Sequence, residues 1–243
     1  MKIKKSILLV LALTLITSVN ASIFGNKNVK GNGNVITETR NTESYDGISC
    51  AGSMDFILVS GTEGNIKIEG EENLLEYIIV KVKKGKLIVK VDDDVNLKPS
   101  RNKQIKITIP FQDVNVVALA GSGDLWNKDV ITTNNLKVAL AGSGDVVLDI
   151  KTTTVEGSLA GSGDLTLKGD TNNLEAKVAG SGDFHGFDLN ANHTEVSVAG
   201  SGDAKVVSNE SLKARVAGSG DIKYKGNPSK EDTKVSGSGS ISN

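Results

Sequence analysis

Apolar and polar residues alternate along this chain around a recurring pentapeptide, Ala-Gly-Ser-Gly-Asp. Complete copies begin at Ala120, Ala141, Ala160, Ala179, Ala199 and Ala217. The residues one, three and five positions before each alanine are mostly apolar, such as Leu140, Val138 and Leu136. Counting forward by five and seven meets a second apolar set, such as Val146 and Leu148. This period of two predicts half-buried β-strands on both sides of each pentapeptide.

The spacing of the copies is nearly constant, and a fixed period of about 20 residues is typical of stacked structural units. A worn copy begins at Ser236, and another begins far upstream at Ala51. One such unit cannot bury its apolar face alone, whereas stacked units can, with parallel strands about 4.8 Å apart. We therefore predict an all-β fold, a parallel β-helix (β-solenoid) with about 19–20 residues per coil in the C-terminal half. The general preference for right-handed crossovers favours a right-handed coil, and the spacing leaves open whether each coil has two or three faces.

Each predicted coil reads as strand, Gly-Ser-Gly corner, strand and polar corner. The polar corners are rich in Thr and Asn, which together with Gly suit turns, and they lie at 133–135, 152–154, 171–173 and 190–192. The segment 34–119 keeps the alternation but loses the pentapeptide. The stretch between Ala51 and Ala120 leaves room for about three coils of this length. We expect one domain over 22–243, with irregular coils at 34–119, one helical turn at 71–77 and regular coils at 120–243; two abutting sub-domains are the alternative.

The segment Met1–Ala21 has the pattern of an export signal. Lys2, Lys4 and Lys5 precede a short apolar run over 7–16, and small residues at 19–21 predict cleavage after Ala21. The run is too short to span a bilayer, so we expect no transmembrane segment in the mature chain. The predicted location is the periplasm or the cell surface.

Charge and cysteine content narrow the functional classes. The formal net charge is −1, and loss of the three leader lysines would bring it to about −4. Such a chain, without a basic run, is a poor nucleic-acid binder. Cys50 is the only cysteine, so no internal disulfide forms, and its place in the repeat predicts a buried thiol.

Several segments, in this order, resemble a known family. They are Asn34–Arg40, Tyr45–Ile48, Ile68–Leu74, Gly85–Val89 and the Gly-Ser-Gly-Asp array. Over roughly 34–241 the chain is similar to the "putative auto-transporter adhesin, head GIN domain" family. The resemblance implies a right-handed β-helix of the pectin-lyase type, an exported protein without a recognised catalytic set, and a role in adhesion. The chain has no C-terminal run of amphipathic strands long enough for a transporter barrel.

The strongest candidate site is a column of aspartates at one repeat position: Asp124, Asp145, Asp164, Asp183, Asp203 and Asp221. Two unit charges about 5 Å apart repel by roughly 0.8 kcal/mol in water, so something must relieve the repulsion. One hypothesis is that each carboxylate bonds corner amides and faces water. The other is that Ca²⁺ bridges neighbouring carboxylates through oxygen ligands, although the calcium-binding nonapeptide Gly-Gly-x-Gly-x-Asp is absent.

Two outward positions beside this column are candidates for surface contacts. Trp126 and His185 share one repeat position, and Trp126 is suited to stacking on a sugar or packing against a protein. His185 and His193, without a cysteine or a nearby acidic trio in the sequence, are weak evidence for zinc, and we expect them to be exposed loop residues. The Gly-Ser-Gly copies read as corners rather than nucleophile elbows, and identical repeats give carboxylates identical surroundings, whereas glycosidases need two different ones. No catalytic residue and no required cofactor is predicted.

These observations favour an exported, non-catalytic β-solenoid that presents a repetitive surface, as an adhesin or an envelope-protein interaction module. The alternative is a polysaccharide-binding or polysaccharide-degrading β-helix protein. The expected partner is an envelope protein or a glycan, with end-to-end self-association of the solenoid as a further hypothesis.

Overall fold

The structure, a computed structural model, describes residues 27–243. The predicted export signal over 1–21 lies outside this range. The described part is almost entirely β-structure, with one helical turn, α1 (Glu72–Leu75), at the predicted place. No helix within 27–243 has the length and apolar character needed to cross a membrane.

The N-terminal half holds nine strands. They are β1 (Lys27–Lys30), β2 (Val35–Asn41), β3 (Gly47–Gly52), β4 (Asp55–Ser60), β5 (Asn65–Glu71), β6 (Ile78–Lys83), β7 (Lys86–Val91), β8 (Val95–Lys98) and β9 (Lys106–Phe111). The regular half holds twelve. They are β10 (Val116–Gly121), β11 (Leu125–Asn127), β12 (Ile131–Gly142), β13 (Val146–Gly161), β14 (Leu165–Gly180), β15 (Phe184–His185), β16 (Leu189–Gly200), β17 (Ala204–Val207), β18 (Ser211–Gly218), β19 (Ile222–Lys225), β20 (Lys230–Gly237) and β21 (Ile241–Ser242).

Equivalent positions of successive repeats lie side by side, which confirms the predicted β-solenoid of stacked parallel coils. In the parallel pair β13–β14, Ala160 lies beside Ala179 and Val146 beside Leu165. The register continues without a slip through β16, β18 and β20, where Ala199, Ala217 and Ser236 take the same position. The stack has about seven turns.

The polar corners do not interrupt the strands as predicted. Those at 133–135, 152–154, 171–173 and 190–192 lie inside the long strands β12, β13, β14 and β16. Thr152 pairs with Thr171 and Thr154 with Asn173, while Thr153 between them has no partner in the register. The chain thus changes direction at one unpaired residue and keeps its inter-coil hydrogen bonds on both sides.

The core consists of columns of inward side chains, one from each coil. One column runs through Val146, Leu165, Phe184, Ala204 and Ile222, all of which are fully buried. Neighbouring columns compensate for size differences. A Cβ on the buried Gly157 would lie 3.1 Å from the ring of Phe184, so this glycine makes room for the phenyl group. Burying a large aliphatic or aromatic side chain contributes about 1.5–3 kcal/mol.

The stretch between Ala51 and Ala120 does not contain three coils of the stack, so that expectation is wrong. Ala51 of β3 pairs directly with Ala120 of β10. After β4 the chain leaves the stack and adds β7 and β9, in parallel, to the other edge of the β3–β4 coil. Strands β6 and β5 then pair antiparallel with β7 and β9, and β2 pairs antiparallel with β5. This antiparallel end covers the first coil, because its edges would otherwise present unpaired backbone groups.

At the other end, β20 pairs with β18, and no other strand of residues 27–243 is its neighbour. All eight of its residues are exposed. Glu231 stands in register with Leu212, at the position where preceding coils carry Leu174 and Val155. The last coil therefore places a charged side chain where the preceding coils place an apolar residue or, in β16, Thr194.

Candidate binding face

Each Gly-Ser-Gly corner is fastened to the coil before it through one carbonyl oxygen. The amides of Ser143 and Gly144 both donate to the carbonyl oxygen of Gly121, at 2.9 and 3.1 Å. Gly142 has φ of 139°, a conformation that favours glycine. A Cβ at Gly144 would lie 1.9 Å from the carbonyl oxygen of Gly123, so the close approach of the coils requires glycine there as well.

The aspartates that follow these corners form a continuous hydrogen-bonded ladder. The amide of each donates to Oδ1 of the aspartate one coil earlier, at 2.8–3.0 Å, in five steps through Asp124, Asp145, Asp164, Asp183, Asp203 and Asp221. The ladder ends where the amide and hydroxyl of Ser240 donate to Oδ1 of Asp221, at 2.7 and 2.8 Å. The six side chains thus bond corner amides, as the first of the two sequence hypotheses expects. Bridging by Ca²⁺ stays a prediction.

Asp55, from the worn copy, extends the same column by one coil beyond Asp124. Partial burial raises the pKa of its carboxyl group, and the neighbouring carboxylate of Asp124 raises it further. The amide of Asp124 and the ammonium group of Lys106 act in the opposite direction. The repulsion between adjacent carboxylates therefore contributes to a raised pKa at Asp55, where the column meets the N-terminal end.

Among the described residues, the ladder carboxylates have no lysine or arginine partner. We call the outward residues that follow the corners the aspartate face; it comprises the ladder and the column Trp126, Val147, Thr166, His185, Lys205 and Lys223. Within residues 27–243, no Lys or Arg nitrogen forms a salt bridge with a ladder carboxylate. The negative field of this face is therefore free to act on a ligand.

The outward residues that precede the corners behave differently, and we call them the salt-bridged face. There Glu156 lies 3.2 Å from Lys137 and 3.6 Å from Lys177, while Lys177 also lies 2.5 Å from Glu175. The hydrogen bond to Glu175 raises the pKa of Lys177. Lys213 and Glu195 form another pair at 2.6 Å. Such exposed pairs contribute only about 0–1 kcal/mol each, but they largely neutralise the charge of this face.

Trp126 lies in a groove of about 500 Å³ on the aspartate face. In the outward column, Trp126 is flanked by Ile57 of one coil and Val147 of the next. The groove is lined by Asp124, Leu125, Trp126, Asn127, Asp145, Val147, Asp149 and Lys168. The structure thus brings the predicted contact residue Trp126 together with two carboxylates of the predicted column.

His185 lies farther along the same face and meets two of the aspartates. Its Nε2 is 3.4 Å from Oδ2 of Asp164, and one ligand atom from each of Asp164, Asp183 and His185 lies within 4.8 Å of the others. The sequence placed His185 in the outward column but did not predict this contact. Its signal was the repeat itself, since the column lies two positions after the aspartates in every coil.

A contact between Ser211 and His193 was also missed from the sequence. Ser211 lies one repeat after His193, and its Oγ is 2.9 Å from His193 Nδ1. On the other side of the ring, Nε2 is 3.6 Å from Oε2 of Glu210. A serine nucleophile needs an imidazole whose ring N–H donates a hydrogen bond to an acidic residue, and the 3.6 Å distance to Glu210 is too long for that bond. The trio therefore lacks the geometry of an activated serine.

Solved structures share this fold over most of their length. A "putative adhesin" from Bacteroides fragilis is 27% identical to this chain, covers 88% of it and 99% of its own length, and has a TM-score of 0.82. A "putative lipid binding protein" from Parabacteroides distasonis is also 27% identical, with coverages of 89% and 99% and a TM-score of 0.75. A "putative adhesin" from Parabacteroides merdae, at 22% identity, 89% and 98% coverage and a TM-score of 0.69, shows likeness of fold alone.

The sequence comparison agrees with the structural one. The family model described as "Putative auto-transporter adhesin, head GIN domain" matches residues 44–228. The match spans the β3–β4 coil, the antiparallel end except β2, and all six complete pentapeptides. No protein with a curated description matches the chain.

Proposed function

Since the chain belongs to the "putative auto-transporter adhesin, head GIN domain" family, we propose that it is an exported, non-catalytic β-solenoid that binds an external partner through its aspartate face. The leader at 1–21 supports export to the periplasm or the cell surface. The partner is an envelope protein or a glycan. The name of the family supports adhesion as the outcome of this binding.

The proposal rests on one observation: the charged side chains of the two outward faces have different partners. Glutamates of the salt-bridged face pair with lysines of the same face. Oδ1 of each ladder aspartate instead accepts a backbone amide of the next coil, in a register fixed by the coils. A rigid row of acceptors binds a ligand without the entropy cost of ordering flexible side chains. The aspartate face is therefore prepared for binding in a way that the other face is not.

The same regularity supports a non-catalytic role. Hydrolysis of a glycosidic bond needs one carboxylic acid and one carboxylate in different environments. Asp145, Asp164 and Asp183 share one bonding pattern, with Oδ1 accepting the amide of the next coil. This shared bonding pattern does not by itself make one neighbour an acid and another a base.

Binding of the purified protein to cell-envelope fractions of its own source organism tests the proposal. One variant changes three ladder residues, Asp145, Asp164 and Asp183, to asparagine, which retains an amide acceptor for each ladder bond. The matched control changes Glu156, Glu175 and Glu195 to glutamine, with the same change of charge on the salt-bridged face. We expect the ladder variant to lose at least about tenfold in affinity, and the control to bind like the natural chain. Equal binding by both variants, or no binding by the natural chain, would overturn the proposal.

A further inference from the structure

We propose that the groove around Trp126 binds a neutral glycan, with pyranose rings stacked along an apolar column and hydroxyl groups bonded to the ladder carboxylates. The inference rests on the proposed function and names the ligand class of the aspartate face. It is built from three properties of the groove: its apolar strip, its unused polar atoms and its direction along the stack.

Trp126 and Val147 form the apolar strip of the groove, and Ile57 continues the same outward column by one coil beyond the groove. Ile57 and Trp126 are half-buried, and Val147 is 37% exposed, one of the few large apolar side chains at the surface. A pyranose ring presents C–H groups on its faces, and these pack against an aromatic ring as other apolar groups do. The strip therefore suits a ligand that is apolar on one side and polar at its edges.

The polar atoms beside the strip are mainly acceptors. Oδ1 of Asp124 accepts the amide of Asp145, and Oδ1 of Asp145 accepts that of Asp164. Neither Oδ2 atom has a protein donor within residues 27–243, so both remain available to hydroxyl groups. Charged acceptors form stronger hydrogen bonds than neutral ones. Their orientation is fixed, because the ladder bond holds each carboxylate.

The indole of Trp126 supplies a donor. Its N–H has no protein acceptor in the described part of the chain, and no buried side-chain nitrogen or oxygen there lacks a hydrogen-bond partner. The indole nitrogen must therefore face solvent, where a sugar oxygen can accept from it. The amide of Asn127, by contrast, is already engaged with the backbone of Asp129 and Asp149.

Charge selects a neutral ligand over an acidic one. Asp124, Asp145 and Asp149 line the groove, and Lys168 is the one cation among its lining residues. Lys168 lies beside Asp149 in the register, and one ammonium group against three carboxylates leaves the lining with a net charge of −2. A uronate or sulfate group in the groove would meet net negative charge. The lining thus matches hydroxyl-rich, uncharged sugars.

The groove runs along the stack, and this direction indicates a linear ligand. Its lining residues come from β11, β13 and β14, which are successive coils about 4.8 Å apart. That step is comparable to the length of one pyranose unit in a linear chain. A glycan that lies along the stack would place successive sugar rings over successive coils, and the groove accommodates about two to three of them at this spacing.

The test applies the purified protein to an array of neutral and acidic oligosaccharides, followed by calorimetric titration with the neutral oligosaccharide of strongest signal. We expect Trp126→Ala to weaken binding about tenfold or more, and Trp126→Phe to restore part of it. Asp145→Asn, which keeps the ladder acceptor, should weaken binding several-fold. The control is Glu175→Ala, on the salt-bridged face, which should leave binding unchanged. Thermal melting of each variant verifies that it is folded.

The outcomes separate this inference from the proposed function. Binding of neutral sugars that depends on Trp126 but not on Glu175 supports both. If no neutral oligosaccharide binds, or acidic ones bind more tightly, the glycan inference is overturned, while loss of envelope binding in the asparagine ladder variant would still support the proposed function. If that envelope binding depends on the ladder but resists periodate treatment of the fractions and is removed by protease, the partner is a protein, and the glycan inference fails alone.

Discussion

The backbone amide of Asp164 donates to Oδ1 of Asp145 at 2.9 Å, across the boundary between two coils. The side chain thus continues the backbone hydrogen-bond ladder around a corner where strand pairing stops. The carboxylate of each aspartate accepts a hydrogen bond from the next coil, and its backbone amide donates one to the previous coil. The repulsion of adjacent carboxylates is offset by hydrogen bonds to a charged acceptor, which contribute about 1.5–3 kcal/mol each.

Asp145→Ala should lower the free energy of unfolding by about 1 kcal/mol, because the variant loses the bond to the Asp164 amide but also loses two neighbouring repulsions of roughly 0.8 kcal/mol each. Asp145→Asn keeps an acceptor and should stay within about 0.5 kcal/mol of the natural chain. Urea denaturation measures both, and Asp149→Ala, on the same strand outside the ladder, is the control. Equal destabilisation by alanine and asparagine would contradict the role given to the carbonyl-type acceptor.

Gly163→Ala should destabilise the stack by about 3 kcal/mol or more. The added Cβ would lie 1.9 Å from the carbonyl oxygen of Gly144, and a backbone atom of the adjacent coil cannot move aside alone. The exposed Ser162, in the same corner, provides the control, since Ser162→Ala should change stability by less than about 0.5 kcal/mol. Thermal and urea unfolding measure the difference. A Gly163→Ala variant as stable as Ser162→Ala would mean that the coils are farther apart than the structure shows.

The regular half was predictable because adding the repeat length to a residue number gives the neighbouring residue in the next coil. A nearly constant repeat length places Ala141 over Ala120 and Asp145 over Asp124, and small differences in length fall between paired strands, at 128–130 and 186–188. The contacts of Trp126 with Val147 and of His193 with Ser211 follow from the same step. The latter was missed only because the two residues differ in type and neither belongs to the pentapeptide.

The N-terminal end was not predictable in the same way. Strands β5, β7 and β9 alternate apolar and polar residues like any half-buried strand, so the pattern does not distinguish antiparallel from parallel partners. The passage from β9 to β10, past the β3–β4 coil, depends on pairings such as Ile68 with Ile107 that no repeat marks. The sequence thus predicted that these strands exist, but their order in space depends on tertiary contacts.

Glu71 should make stability at this end depend on pH. The residue is 1% exposed, and its carboxylate accepts bonds from the Gly33 amide at 2.5 Å, the Ser100 amide at 2.7 Å and the Ser100 hydroxyl at 2.6 Å. Burial alone would raise the pKa of Glu71, but the bonds from Ser100 and Gly33, with the charge of Lys103, outweigh it and lower the pKa. The resulting stabilisation is fully present above the ordinary pKa of about 4.3 and is lost as pH falls through the lower folded-state value.

Glu71→Gln should therefore cost about 2 kcal/mol at neutral pH, because the charge-assisted bonds are lost. The cost should shrink as pH falls below about 4, since the natural carboxyl group then becomes protonated as well. Urea denaturation over a pH series measures this convergence, with the exposed Glu76→Gln as the control. Parallel stability curves for Glu71→Gln and the natural chain across the acid range would exclude the proposed linkage.

Glu231→Leu should cause the protein to self-associate. Glu231 stands over Leu212 at an inward position of β20, a strand whose residues are all exposed. Inward-pointing charges at sheet edges oppose pairing with another chain, so the end-to-end association predicted as an alternative from the sequence is disfavoured by this residue. Leucine would complete the apolar column and expose it at an unpaired strand edge.

Lys230→Leu adds the same side chain at the neighbouring outward position and is the matched control. Sedimentation velocity over a concentration series should show dimers or larger species for Glu231→Leu and monomers for Lys230→Leu; identical profiles would mean that the charge at this position does not protect the edge.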